Sequence, residues 1–401
     1  MKIEAFALER WMTRHETRVR YDLAESGIYP LRLADLLGWL PEDERRSELD
    51  RLLDLRLGYG EAPGTLELRS LIAETYAGCD ADNILVTTGA IEANFLLFNV
   101  LLEAGDHVIA PHPAYQQLYS VPRALGCEVS LWEVGTGGGD GGRGYDLAAL
   151  ERLIRPATRL IVVNTPHNPT GAMLSAEELG RVYALAESVG ATVVADEAYR
   201  WLAVPGGEPF APPMFEHGPR GISVGTVSKP FGLPGLRIGW LAAPKPVASA
   251  CWGMRDYLSL SPGKLNDAVA QLAFRHRLRI VERNGPIIAA NLAATERWLA
   301  RHGDILSWMP PRGGLVALLR YRLDVPSREL ADLLANDYGV MLAPGSAFGR
   351  EHHLRIGLGQ EPGVFQAGLD EASRCFDALR SRLPRLPSDR ARRFARSGDA
   401  D

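Results

Sequence analysis

Lysine is scarce in this 401-residue sequence: of 44 basic residues only Lys2, Lys229, Lys245 and Lys264 are lysines, and the other 40 are arginines. On a solvated surface the two are largely exchangeable. A lysine kept against that bias is therefore a candidate for chemistry that an amine performs and a guanidinium cannot, such as Schiff-base formation. Cysteine is as sparse. Cys79, Cys127, Cys251 and Cys375 lie far apart with no C-x-x-C pair, so neither a disulfide framework nor a zinc site is suggested. No apolar run reaches the roughly 18 to 20 residues that a bilayer span needs, and charges at Lys2, Glu4, Glu9 and Arg10 interrupt the apolar core of a secretory signal. A surplus of positive charge is also missing. The net charge of −5 speaks against a nucleic-acid or anionic-membrane partner, because neutralising phosphates takes a basic surface. A cytoplasmic protein is expected.

What is present is a globular composition, 46% hydrophobic with 41 glycines and 27 prolines spread along the chain, long enough for two domains. Val- and Ile-rich runs alternate with helix-period segments from about residue 65 to 285. The runs 84–89, 107–112, 160–166, 192–198, 222–228 and 238–244 read as buried strands, separated by amphipathic stretches long enough for crossover helices. That rhythm predicts an α/β fold with a mainly parallel, doubly wound sheet in a large domain over residues 46–285. Residues 286–382 read as a smaller α+β domain, with 1–45 packing against it. The polar stretch 383–401 reads as a disordered tail.

Among the lysines, Lys229 in SVGTVSKPFGLPGLRIGW follows a strand directly, and ligands of open α/β sheets bind at the carboxyl ends of strands. ADEAY places Asp196 and Tyr199 three apart, as if on one helical turn, and NTPHNPTGA carries Asn168 after another strand. The intervals of 28 and 33 residues each match about one strand–helix unit, so three strand ends can converge on one crevice. An amine, a carboxylate, a phenol and an amide are the groups that pyridoxal 5′-phosphate requires. Taken singly, Asn168 also suits a turn, Asp196 a helix cap, and either tyrosine a core position; their joint order carries the reading.

HNPTG, DEAY, TVSK and GLRIG, in that order and spacing, make the chain resemble a fold-type I pyridoxal-phosphate enzyme of the class I/II aminotransferase family over roughly residues 20–380. The resemblance implies that Lys229 carries the cofactor as a Schiff base and shuttles a proton at the substrate Cα, and that Asp196 partners the pyridine nitrogen. Asn168 and Tyr199 would bond the phenolate oxygen, and Tyr115 in HPAYQQLY would stack on the ring. Gly89, Ala90 and Ile91 in TTGAIEANF would turn a strand into a helix whose free N–H groups hold the phosphate, with Thr226, Ser228 and Arg237 completing that cup. Tyr59 in GYGEAPGTLELR resembles the tyrosine that reaches the neighbouring subunit's phosphate, which implies a homodimer with shared active sites. Arg355 in HHLRIGLG would clamp the α-carboxylate of an amino acid substrate, beside Gly27 and Asn168.

The family's shared chemistry removes the Cα proton; amino transfer, elimination or replacement at Cβ, and oxidative deamination then diverge. LERW, YDLAESG, RDYLSLSP, PRGG and PGSAFG look similar to capreomycidine synthase-like enzymes, which implies specialised metabolism and, as one alternative, loss of a β-hydroxyl from a hydroxyarginine with ring closure. Glu9, Glu16 and Glu25 stand where they meet either a cationic side chain or water, and Glu92, just past the phosphate turn, is a further candidate contact. The formal G-x-G-x-x-G from Gly137 to Gly142 does not open a helix directly, so it reads as a surface loop and not as a dinucleotide site. His352 and His353 are adjacent and cannot share one strand face as metal ligands. No metal is expected, and an absent lysine or aspartate would have favoured a non-catalytic relative.

Overall fold

A computed structural model describes residues 2–136, 143–207 and 209–380; the expectations for Gly137–Gly142 and for the tail 383–401 lie outside the described residues. The principal sheet is built from β1 (Ile84–Thr87), β2 (His107–His112), β3 (Glu128–Thr136), β4 (Arg143–Tyr145), β5 (Thr158–Asn164), β6 (Thr192–Asp196), β7 (Gly221–Thr226) and β8 (Gly239–Ala242). Their spatial order is β1-β8-β7-β6-β5-β2-β3-β4. Only β8 and the edge strand β4 run against the others, so β1, β2, β5, β6 and β7 all end on one side.

Period-two alternation explains how both faces are covered. Val108, Leu160, Val162, Val194 and Ile222 point to one face, under the helices Ala90–Leu101 and Gln117–Ala124. Ile109, Ile161, Val163, Val193 and Ala195 point to the other, under Leu147–Leu153 and Ala176–Ser188.

A second sheet, in order β9 (Leu306–Trp308), β10 (Val316–Tyr321), β12 (His353–Gly357), β11 (Ala343–Pro344), is antiparallel throughout. Its core takes in Leu8, Trp11, Leu23 and Ile28 of the N-terminal segment. Two differences from the sequence-based boundaries follow. Leu36 and Leu37 pack instead with Ile84, Trp240 and Phe274 of the large sheet's core, so only the first part of residues 1–45 joins the small sheet. The division at 285/286 falls inside one helix, Arg277–Arg301, which runs through Pro286. Among the described residues no helix is long and apolar enough to cross a membrane.

Candidate active site

The carboxyl ends of β1, β5, β6 and β7 open into a cleft of about 750 Å³. Gly89, Ala90, Ile91, Tyr115, Asn168, Asp196, Tyr199, Thr226, Ser228, Lys229, Arg237 and Arg355 all line it. Strand geometry does most of this assembly. Asp196 is the last residue of β6, in register with Asn164 of β5, and Thr226 is the last of β7. Tyr199 sits in a turn after β6, so Asp196 and Tyr199 meet across a strand end and not, as their spacing predicts, along one helical turn.

Asp196 is 6% exposed. Burial pushes its carboxyl above the ordinary range, opposed by hydrogen bonds from the Asn94 amide and the Ala198 N–H. Asn94 Nδ2 donates to Asp196 Oδ2 at 2.9 Å. Sequence reasoning does not single out Asn94, which shares the helix AIEANFLLFNVL with Glu92 and a second amide, Asn99.

The turn Thr87–Gly89 enters the helix Ala90–Leu101 through Gly89 at φ 78°. A Cβ there would stand 2.7 Å from an Arg237 guanidinium nitrogen, and Gly239 of β8 packs so tightly that its Cβ would stand 2.3 Å from the Ala90 nitrogen. The hollow at this helix start is thus kept open by missing side chains. Thr226 Oγ1 lies 2.9 Å from Ser228 Oγ, which places both hydroxyls beside it.

Lys229 Nζ donates to Glu25 Oε1 at 3.2 Å. Burial works against its charge, yet the Glu25 carboxylate, aided by Tyr199, outweighs burial and holds the amine above its ordinary value. In return Lys229 holds Glu25 low. Glu25 arrives through the segment 21–29, which runs between the sheets: the Ile28 N–H donates to the Lys229 carbonyl and the Tyr29 N–H to that of Gly359. A Cβ on Gly27 would stand 3.6 Å from the Lys229 side chain, so Gly27 lies at the same spot. Arg355, 1% exposed, donates to Asn168 Oδ1 at 3.1 Å and to the Ala24 carbonyl at 2.7 Å, and its Nε is buried without a partner.

One wall comes from the helix α1 (Ala7–His15), through Leu8, Glu9 and Met12, with Glu16 just beyond. Trp11 Nε1 donates to Asp332 Oδ1 at 2.7 Å, and the Ala7 N–H to Gln116 Oε1 at 2.8 Å, so α1 spans both sheets' territories. The Tyr115 hydroxyl donates to Glu9 at 3.2 Å. Tyr59, 86% exposed, does not line the cleft, and neither does Glu92, which lines a neighbouring cavity with Thr88 and Ser259.

The sequence profile described as "Aminotransferase class I and II" matches residues 37–368. Capreomycidine synthase of Streptomyces vinaceus is 30% identical over 92% of this chain and 92% of its own. A PLP-dependent aminotransferase from Streptococcus suis superposes with a TM-score of 0.87 at 35% identity, covering 94% of this chain and 99% of that one. The PLP-dependent cyclase OrfR does so at 0.83 and 34%, covering 96% and 99%. The chain therefore has the fold-type I architecture and belongs to the class I and II aminotransferase family of enzymes, whose cofactor is pyridoxal 5′-phosphate.

Proposed function

We propose that the chain binds a free α-amino acid, removes its Cα proton and transfers its amino group, working as a homodimer with shared sites. One observation carries this reading: a buried acid, Asp196, the amine of Lys229 and the guanidinium of Arg355 converge in one cleft at the ends of parallel strands. Pyridoxal phosphate, when bound, supplies an electrophilic aldehyde and a ring that takes up the electron pair left on the substrate carbon.

The side chains present fit that group. Ala90 and Ile91 would offer N–H groups at a helix start that Gly89, its own N–H donating to the Thr87 carbonyl at 2.9 Å, keeps open by lacking a Cβ, and Thr226, Ser228 and Arg237 would close the phosphate end. Tyr115 would stack on the ring, Asn168 and Tyr199 would hold its phenolate oxygen, and Asp196, to which Asn94 donates at 2.9 Å, would hold a proton at the ring nitrogen. The Lys229 amine would hold the cofactor's aldehyde end and, when free, would move a proton to and from the substrate Cα. Arg355 receives the substrate carboxylate as a planar fork beside Gly27, its partnerless Nε being a donor in reserve. Tyr59 would reach the neighbouring subunit's phosphate. Leu57 and Tyr257, 79% and 88% exposed, are further large side chains left on the surface and suit contact with a second copy.

A second reading, elimination of a β-substituent followed by ring closure, has support in the acidic wall. Glu9, Glu16 and Glu25 line the cleft and suit a cationic side chain of arginine type. The likeness to capreomycidine synthase and to a cyclase points the same way, toward specialised metabolism.

Titrating the protein with pyridoxal phosphate, and then with amino acids including arginine derivatives and cysteine conjugates, separates the two. Keto acid release with the cofactor left as its amine supports transfer; ammonia with pyruvate, or a cyclised product, supports elimination. No borohydride-stable linkage at Lys229 and no spectral response to any amino acid would refute both.

A further inference from the structure

Arg255, the first residue of RDYLSLSP, is fully buried at the end of the helix Lys245–Arg255, and the site described above gives it no task. Its Nη1 donates to the Val86 carbonyl at 2.6 Å and to the Ala62 carbonyl at 2.7 Å. Nε bonds Ser259 Oγ at 3.1 Å and lies 3.8 Å from Glu92 Oε2. That same Glu92 oxygen accepts the Thr88 N–H at 2.6 Å. Nη2 is buried without a partner. One guanidinium thus ties the end of β1, three residues before Gly89, to the segment that carries Tyr59, and stands beside the one acid in the first turn of Ala90–Leu101.

Burying a guanidinium is costly, and a well-packed apolar side chain of similar volume usually does no worse for stability. The reason for an arginine here lies in charge. Glu92 brings a negative charge to a helix start proposed to hold a phosphate, and an unopposed carboxylate there would repel it. We propose that Arg255 is a positioning residue for the phosphate end of the cofactor: it offsets Glu92 and fixes the β1 turn together with the Tyr59 segment, so that each subunit's own cup and its contribution to the partner's are set by one side chain. The Arg255 carbonyl also accepts the Leu258 and Leu260 N–H groups, which shapes the exposed loop that follows.

The inference rests on the proposed placement of the phosphate, and the test separates the two. Apoprotein is prepared from the native chain, from Arg255→Met, Arg255→Lys and Glu92→Gln, and from the double variant Glu92→Gln/Arg255→Met. Each is titrated with pyridoxal phosphate, with unphosphorylated pyridoxal and with inorganic phosphate, after folding has been checked by circular dichroism. Arg255→Met is expected to weaken pyridoxal phosphate and inorganic phosphate about tenfold, the scale of one partly screened charge, and to leave pyridoxal within about twofold. Arg255→Lys should recover part of the loss, and the double variant should bind phosphate more tightly than Arg255→Met. Equal losses for pyridoxal and its phosphate, or no loss in Arg255→Met, would overturn the inference. Should Arg255→Met not fold, Glu92→Gln decides alone: an unopposed Arg255 raises phosphate affinity about threefold, and an unchanged or lower affinity counts against the inference. Native protein that takes up neither phosphate nor cofactor would instead remove the placement of the phosphate.

Discussion

Replacing Glu25 with glutamine removes the carboxylate that keeps the Lys229 amine protonated. Nζ and Oε1 are 3.2 Å apart, with the Lys229 side chain 27% exposed and that of Glu25 45%. Two unit charges at that separation attract by about 1.3 kcal/mol in bulk water and by about 2.6 kcal/mol at an effective dielectric of about 40. Water reaches both groups, so these bounds apply and not the larger values of a dry interior. The amine pKa, now held above its ordinary 10.5, should fall by about one to two units. Burial, which opposes the charge, then acts with less opposition. The amide oxygen introduced by Glu25→Gln can still accept the Gly27 N–H that Glu25 accepts at 2.7 Å, so the loop is retained. Only the neutral amine attacks an aldehyde, which settles the sign. Glu25→Gln apoprotein should combine with pyridoxal phosphate about 10- to 100-fold faster near neutral pH, and its rate–pH curve should move toward acid by the same one to two units. Stopped-flow absorbance reads the curve, and borohydride reduction with peptide mapping assigns the linkage among only four lysines. An unmoved curve, or a slower reaction, refutes the reasoning.

Removing the Asn94 amide takes away the side-chain donor that opposes burial at Asp196. The acid's pKa then rises further, and in Asn94→Ala the acidic limb of the kcat/KM profile should shift to higher pH by about one unit, with activity recovering as pH increases; a stationary limb counts against the assignment. Arg355→Lys keeps the charge but loses the fork that bonds both Asn168 and the Ala24 carbonyl. KM for the amino acid should rise about 10- to 100-fold with cofactor affinity unchanged, and equal changes in both would contradict a carboxylate clamp. Asp22 is pushed up from 3.8 to about 6, by burial first and then by the Glu25 carboxylate. Folding therefore favours its protonated form, and the stability this provides below about pH 4 is lost as pH rises through about 6, a difference of up to about 3 kcal/mol. Asp22→Asn should accordingly raise Tm near pH 7.5 and change it little near pH 4; an equal effect at both values would show that the carboxyl is not raised.

Residues that carry chemistry are readable because a parallel strand places its carboxyl end locally: once LIVVN, TVVAD and ISVGT are strands, Asn168, Asp196 and Lys229 must emerge at one edge of the sheet. The strand Glu128–Thr136 escapes sequence reading because Glu128 and Glu133 break the apolar run; only part of that strand is fully buried, so its pattern is mixed. The boundary at 285/286 falls within a continuous helix, Arg277–Arg301, which runs through Pro286 without ending. The environment of the site is a different matter. Glu25 meets Lys229 across 204 residues and Asn94 meets Asp196 across 102, and nothing in local periodicity reports such pairings. The same holds for Arg255, whose carbonyl partners Ala62 and Val86 are 193 and 169 residues away. A motif thus names which atoms react, while the long-range contacts of the fold decide at what pH they do so. That is why the charge-deleting variants Glu25→Gln and Glu92→Gln test the structure rather than the family resemblance: both residues lie within quoted motifs, YDLAESG and TTGAIEANF, but neither is among the residues that the resemblance assigns to the cofactor, so any shift in amine reactivity or phosphate affinity is traced to their contacts with Lys229 and Arg255.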